Sequence, residues 1–312
     1  MRRLGAIDPD RLRGAFLGLA VGDAVGTTLE FQAPGSFEPL TDMVGGGPFG
    51  TPPGTWTDDT AMAACLAESL IACGGFDPAD QMRRYLRWYR EGYWSATGHC
   101  FDIGTTTRAA LEAFAHTADP WSGSCDPHAA GNGCIMRLAP VPLAYAHDPA
   151  TAIHLAGESS RTTHGARTCV DACRYLAGLI VGAVRGVPKD ELLAPRYTPV
   201  PGLWDEQPLD PAIDAVAAGS FTAKQPPDIR GSGYVVASLE AALWAFATSD
   251  DYQAAVLAAA NLGDDADTTA AIAGQIAGAS HGMGAIPNRW IERLALRQDL
   301  LALADRLVHL RT

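Results

Sequence analysis

The 312 residues predict an all-α fold, arranged as a single compact multi-helix domain over 1–312. Three observations carry this expectation. Apolar residues recur at helical spacing in segment after segment. Long period-two alternation is missing and β-branched residues are not clustered, so strand signals are scarce. Ala and Gly are abundant while charged residues make up only 19%, which lets helices pack closely through small side chains.

Taken in order, residues 9–25 place Leu12, Phe16, Leu19 and Ala20 on one face, with Leu17 and Val21 on a second strip. A helix apolar nearly all round belongs at the centre of the fold. Residues 59–73 carry Ala63, Leu66, Ala67 and Leu70 on one stripe, and 78–91 carry Met82, Tyr85, Leu86 and Tyr89. A Thr-rich start at 104 leads into Ala109-Ala110-Leu111, giving a helix over 104–115. Further helices are expected at 134–146, 149–160, 165–186, 232–248, 250–261, 267–281 and 294–310. The segment 194–231 holds seven prolines and reads as a surface wrap rather than a linker between domains.

Composition excludes several function classes. No apolar run reaches the roughly 18 residues of a membrane span. Asp8, Asp10 and Arg11 interrupt what would be a signal core, so a cytoplasmic protein without a membrane partner is expected. A net charge of −12 argues against binding nucleic-acid backbones, which reward Lys and Arg. The seven cysteines contain no Cys-x-x-Cys pair, so reduced thiols are expected in preference to zinc at His99-Cys100 or Cys125-x-x-His128. A Ser-His hydrolase built on Ser160 and His164 lacks the Gly-x-Ser-x-Gly turn its nucleophile needs.

Two acidic clusters stand out, Gly54-Thr55-Trp56-Thr57-Asp58-Asp59-Thr60 and Gly263-Asp264-Asp265-Ala266-Asp267-Thr268-Thr269. Each follows a glycine turn and opens a helix. Capping explains part of the pattern: Thr57 is a good N-cap, and carboxylates suit a first turn. The excess of charge calls for more. Asp264, Asp265 and Asp267 crowd three carboxylates into an alanine-rich setting, where repulsion and lost hydration penalise all of them. A divalent cation relieves both. Carboxylates and threonine hydroxyls are hard oxygen donors, suited to magnesium, manganese or calcium. Adjacent Asp58 and Asp59 diverge and can serve two ions, with Asp265 and Asp267 approaching from the other side.

Other segments are suited to a ligand. Gly131-Asn132-Gly133-Cys134-Ile135-Met136-Arg137 can offer backbone N–H groups to phosphates, or can simply be a loop closing into a helix. Gly18-x-x-x-Gly22-Asp23-Ala24-x-Gly26 lets another backbone approach closely. Glu30, between Leu29 and Phe31, is either surface-tilted, paired or a perturbed acid. Asp102 precedes the Thr105-Thr106-Thr107 helix start, where it reads as a cap or as part of a ligand-facing segment. His164 reads as a ligand contact or a helix-end histidine.

These landmarks, together with Gly14-Ala15-Phe16-Leu17-Gly18, Ser160-Arg161-Thr162-Thr163-His164 and Gly231-Ser232-Gly233-Tyr234, resemble the ADP-ribosylglycohydrolase family, in particular its bacterial dinitrogenase reductase-activating glycohydrolase branch. The resemblance runs almost end to end. It implies an all-helical fold around two Mg2+ or Mn2+ ions. It also implies hydrolysis at ribose C1″ of ADP-ribosylated substrates, above all ADP-ribosyl-arginine on protein, with ADP-ribose as product.

The metal ligands it implies are Thr57, Asp58, Asp59, Asp265, Asp267 and Thr268. Asp102 is the implied catalytic group of the bacterial branch, and Glu30 that of other branches. The implied substrate contacts are Thr105, Gly131, Asn132, Gly133, Cys134, Met136, His164 and Tyr234. Thr105 departs from the Asn common in relatives and loses an amide donor, which bears on the acceptor. ADP-ribosyl-serine, O-acetyl-ADP-ribose, another ribosylated small molecule, or a non-catalytic binding or immunity role are the alternatives.

Overall fold

The computed structural model describes residues 5–310. Fifteen α-helices follow one another in this span: α1 (Pro9–Gly26), α2 (Asp58–Cys73), α3 (Pro78–Glu91), α4 (Thr105–Thr117), α5 (Pro140–Ala144), α6 (Pro149–Arg161), α7 (Arg167–Val184), α8 (Lys189–Leu192), α9 (Leu203–Glu206), α10 (Pro211–Ala217), α11 (Val235–Thr248), α12 (Tyr252–Ala260), α13 (Ala266–His281), α14 (Asn288–Arg293) and α15 (Arg297–His309). Among the described residues β-pairing is confined to isolated bridges at Gly46–Thr51, Ser124–His164 and Gly131–Tyr234. The all-helical expectation therefore holds.

The centre is the pair α1 and α13. Every residue of α1 from Gly14 to Gly26 is buried. Its glycines form a seam against α13. A Cβ on Gly14, Gly18, Gly22 or Gly26 would lie 2.2–2.3 Å from the backbone oxygen of Gly278, Gly274, Ala270 or Ala266. Such contact is closed to any larger residue. Tyr252 fastens the seam by donating its hydroxyl to the carbonyl of Gly18 at 2.8 Å. The C-terminal end of α1 thus runs beside the N-terminal end of α13, and this juxtaposition builds the site.

Three expectations need correction. The helix expected over 134–146 is reduced to Pro140–Ala144. Pro140 has no N–H to give Met136, so the carbonyls of Ile135 and Met136 accept from Gln275 Nε2 instead, at 3.0 and 2.8 Å. The helix expected over 294–310 is found as α15, but it starts only at Arg297, because Leu296 takes a left-handed conformation before it. The proline-rich segment 194–231 does more than wrap the surface. It forms α9 and α10 and buries Trp204, Ile213, Val216, Phe221 and Ile229. No helix among the described residues is long and apolar enough to cross a membrane.

Candidate active site

The front cluster is set by a clamped turn and a borrowed cap. Gly54, at φ +90°, lies so close to Arg293 that a Cβ would meet its carbonyl oxygen at 1.9 Å. Its own carbonyl accepts from Ala295 N–H. Thr57 occupies the N-cap position of α2, but its side chain makes no capping bond. Asp23 does this work from α1. Its carboxylate accepts from the Thr57 amide at 2.9 Å and hydroxyl at 3.0 Å, and from the Thr60 amide at 3.0 Å and hydroxyl at 2.6 Å. The expected cap by Thr57 is therefore corrected: a carboxylate accepts more bonds than one hydroxyl and reaches two amides at once. Asp23 was missed as a site residue. Its signal was a lone acid in the otherwise apolar stretch Gly14–Gly26 of α1.

The rear cluster is built the same way. Asp264, at φ +60°, exchanges backbone hydrogen bonds with the Phe31–Gln32 strand of chain, at 2.7 Å each way. This lays Glu30 across the start of α13. Glu30 Oε2 accepts from the amides of Ala266 at 2.8 Å and Asp267 at 3.3 Å. Glu30 is thus paired with a helix terminus and buried. Asp264 itself is exposed and stands outside the group of buried charges, contrary to the crowding expected of it. Its backbone is taken up by the pairing with Phe31 and Gln32, and its side chain stays in solvent.

Between the two helix starts lies a cleft of about 310 Å³ lined by Glu30, Asp58, Asp102, Asp265, Asp267 and Thr268 on its acidic side. Carboxylate oxygens of Glu30, Asp102 and Asp267 lie within 4.8 Å of one another. Asp59 sits behind them, fully buried, and accepts from Thr268 Oγ1 at 3.2 Å. Thr57 likewise stands behind the lining.

Among the described residues no Arg or Lys lines this acidic group. Burial, followed by repulsion from Asp267, pushes Asp265 up to about 7. Burial, followed by repulsion from Asp102, takes Asp267 to about 7 as well. Asp102 reaches about 7 chiefly through burial. Glu30, Asp58 and Asp59 are held well above the usual carboxylate range by burial first and neighbouring carboxylates second.

The residues fit a hard cation. Asp59 Oδ2 and Asp267 Oδ2 are buried with no hydrogen-bond partner in the protein. Thr57 and Thr268 donate their hydroxyl protons to Asp23 and Asp59, which leaves oxygen lone pairs for a metal. The donor set is oxygen throughout.

The other wall of the cleft is the loop around Gly131, with Thr105 and the start of α4. Asn132 ties this wall to the acidic side, donating Nδ2 to Asp265 Oδ2 at 2.9 Å. His164 packs beneath the glycines: a Cβ on Gly133 would lie 2.9 Å from its ring. Burial holds His164 down to about 4, so it is neutral. Its Nδ1 bonds Thr163 Oγ1 at 2.8 Å.

Arg137, at the end of the loop, is buried and supports it from below. It donates to Gly133 O at 2.7 Å and Thr163 Oγ1 at 2.6 Å, and it stacks over Tyr85. Sequence reasoning took it as part of the ligand cradle and missed this supporting position. Gly131, Gly133, Met136 and His164 line the cleft. Cys134 turns away from it toward the carbonyl of Cys169. Tyr234 lies nearby, half exposed, paired by backbone with Gly131. The zinc alternatives stay unsupported, since the metal-ligand grouping found among the described residues is all carboxylate.

Comparison with known proteins agrees with this architecture. The profile of the ADP-ribosylglycohydrolase family matches residues 5–312. The chain is 46% identical to an ADP-ribosylarginine hydrolase, Tri1, of Pseudomonas putida, over 96% of this chain and 78% of that one. It is 31% identical to the ADP-ribosyl-[dinitrogen reductase] glycohydrolase of Rhodospirillum rubrum, over 93% of this chain and 92% of that one. A solved structure of an ADP-ribosylglycohydrolase-related protein complex superposes with a TM-score of 0.85 at 48% identity, covering 97% of this chain and 99% of that one. With its helix pair, its two capped acidic clusters and these relatives, the chain belongs to the ADP-ribosylglycohydrolase family.

Proposed function

We propose that the chain, as one domain over 1–312, is a metal-dependent hydrolase that releases ADP-ribose from ADP-ribosyl-arginine on protein. The observation that supports this most directly is the pair of partnerless buried oxygens, Asp59 Oδ2 and Asp267 Oδ2, beside a cleft whose acidic side includes Asp102 and Glu30. The similarity to ADP-ribosylarginine hydrolases supports the acceptor. Thr57, Asp58, Asp59, Asp265, Asp267 and Thr268 are the residues assigned to hold two Mg2+ or Mn2+ ions. Ions of this kind supply Lewis acidity and neutralise charge on oxygen ligands.

The chain's own groups do the rest. The acidic side fixes the proximal ribose. The amides at the start of α4, which no side chain caps, receive the diphosphate. Asn132, Gly131, Gly133, Met136 and His164 shape the wall along the nucleotide, and Tyr234 stands at its rim. Asp102, near 7, can take a proton from water and return one to the leaving guanidine at neutral pH. Glu30 faces the same space and holds its proton more tightly. Thr105 faces the leaving side chain with a hydroxyl.

The test is release of free ADP-ribose from arginine-modified against serine-modified peptide with Mg2+ or Mn2+ supplied. Release from the arginine peptide is expected. Asp267→Ala should lower it by about 1000-fold or more, in line with losing a group that acts in the transition state. Unchanged release and unchanged metal binding in that variant would sink the reading. Release from serine alone would move the acceptor.

A further inference from the structure

One aromatic ring, that of Phe31, lines the cleft, and two more stand in a row behind it. Phe31 follows Glu30 and Phe101 precedes Asp102. Phe49, at the tip of the loop closed by the Gly46–Thr51 bridge, lies between them. Its ring centroid is 6.3 Å from that of Phe31 and 5.2 Å from that of Phe101, both edge-to-face. His99 continues the row at 6.1 Å from Phe101. The row therefore joins the two chain segments that carry the two candidate proton-transfer groups.

Phe31 departs from ordinary packing in two ways. It is 66% exposed although it is large and apolar. It also sits at φ +61°, a conformation unfavourable for a bulky side chain. An exposed aromatic held in a strained backbone at the rim of a cleft points to a role in binding rather than in stability. Elsewhere the chain covers rings with its own cations, Arg87 over Tyr93 and Arg137 over Tyr85. The row of Phe31, Phe49 and Phe101 carries no cation of its own among these contacts, and it begins at Phe31 on the wall of an acidic cleft that draws cations.

We infer that Phe31, Phe49 and Phe101 form a lip that selects a cationic acceptor, holding the guanidinium of the modified arginine against ring faces beside Glu30 and Asp102. The inference rests on the proposed arginine-directed activity. A guanidinium is planar and permanently charged, so it suits both the rings and the carboxylates. A serine acceptor offers no charge to this lip.

The experiment compares two quantities in the Mg2+-loaded protein: KM for an arginine-ADP-ribosylated peptide, and Kd for free ADP-ribose, which carries no acceptor. Phe31→Leu and Phe101→Leu keep apolar bulk and remove the ring. Each is expected to raise KM about two- to fivefold, and the double variant about tenfold, while Kd for ADP-ribose stays within twofold. Phe31→Tyr keeps the ring face and should keep the original KM. Equal weakening of both quantities, or no change in KM, overturns the lip alone. If the unaltered protein binds ADP-ribose yet releases none from the arginine peptide, the arginine reading falls and the lip falls with it.

Discussion

The helices α2 and α13 both begin under a carboxylate lent by the first thirty residues, yet the two carboxylates are used differently. Asp23 is fully buried, and both of its oxygens accept from Thr57 and Thr60. It has no capacity left and no access to the cleft. Glu30 caps α13 through Oε2 and lies in the cleft beside Asp102 and Asp267. One cap is a fixed strut. The other is a strut that also lines the cleft. The contrast teaches that a carboxylate's role is read from how many of its lone pairs the fold has already engaged.

Removing the strut should have the largest effect. Asp23→Ala strands two amides and two hydroxyls in the interior, and stability should fall by about 3–5 kcal/mol in urea unfolding of the metal-free protein. Affinity for Mn2+, followed by calorimetry, should fall with it as Thr57–Asp59 loses its anchor. A loss below about 1 kcal/mol with unchanged affinity would erase the distinction between the caps.

Glu30→Gln should split the two roles of the other carboxylate. The amide oxygen still accepts from Ala266 N–H, and because Glu30 already holds its proton in the metal-free protein, no charge is lost with it. The urea midpoint of the metal-free variant is expected to hold or rise, while hydrolysis falls by about 100-fold. A midpoint that drops as it does for Asp23→Ala would make Glu30 a strut only.

The smallest expected effect is in pH. Asp102, Asp265 and Asp267 stand near 7 in the folded protein against the ordinary 3.8. The folded state therefore holds protons that the unfolded chain has released. Their contribution is fully present below 3.8 and is lost as pH rises through about 7. His164 acts with the opposite sign, between its ordinary 6.5 and about 4, so it contributes little above 6.5. Between pH 6.5 and about 8 the melting temperature of the metal-free protein should fall by about 2–4 °C, and saturating Mg2+ should flatten the slope. A metal-free melt that rises over this window would contradict the crowding of like charges.

The sequence carried the helices and the two clusters, because periodicity and charge excess are local signals. Helix α1 could be read as central from its unbroken apolar surface, and α13 from the alanines after Asp267. The side of the site facing α1 was not legible. Nothing near Asp23 in sequence indicates that its partners are Thr57 and Thr60, since that pairing depends on the angle at which α1 meets α2. The shortening of the 134–146 helix was equally hidden, because it turns on Gln275, far along the chain. The left-handed residues Phe31, Asp102 and Asp264 escaped notice for a related reason. Only the folded surroundings can hold such residues there.

The seam between α1 and α13 has a temporal consequence. Glu30 reaches its partner Ala266 across 236 residues of chain. Synthesis must run past the rear cluster before either half of the cleft meets the other. A chain emerging from the ribosome therefore carries its acidic clusters apart until the start of α13 has been made.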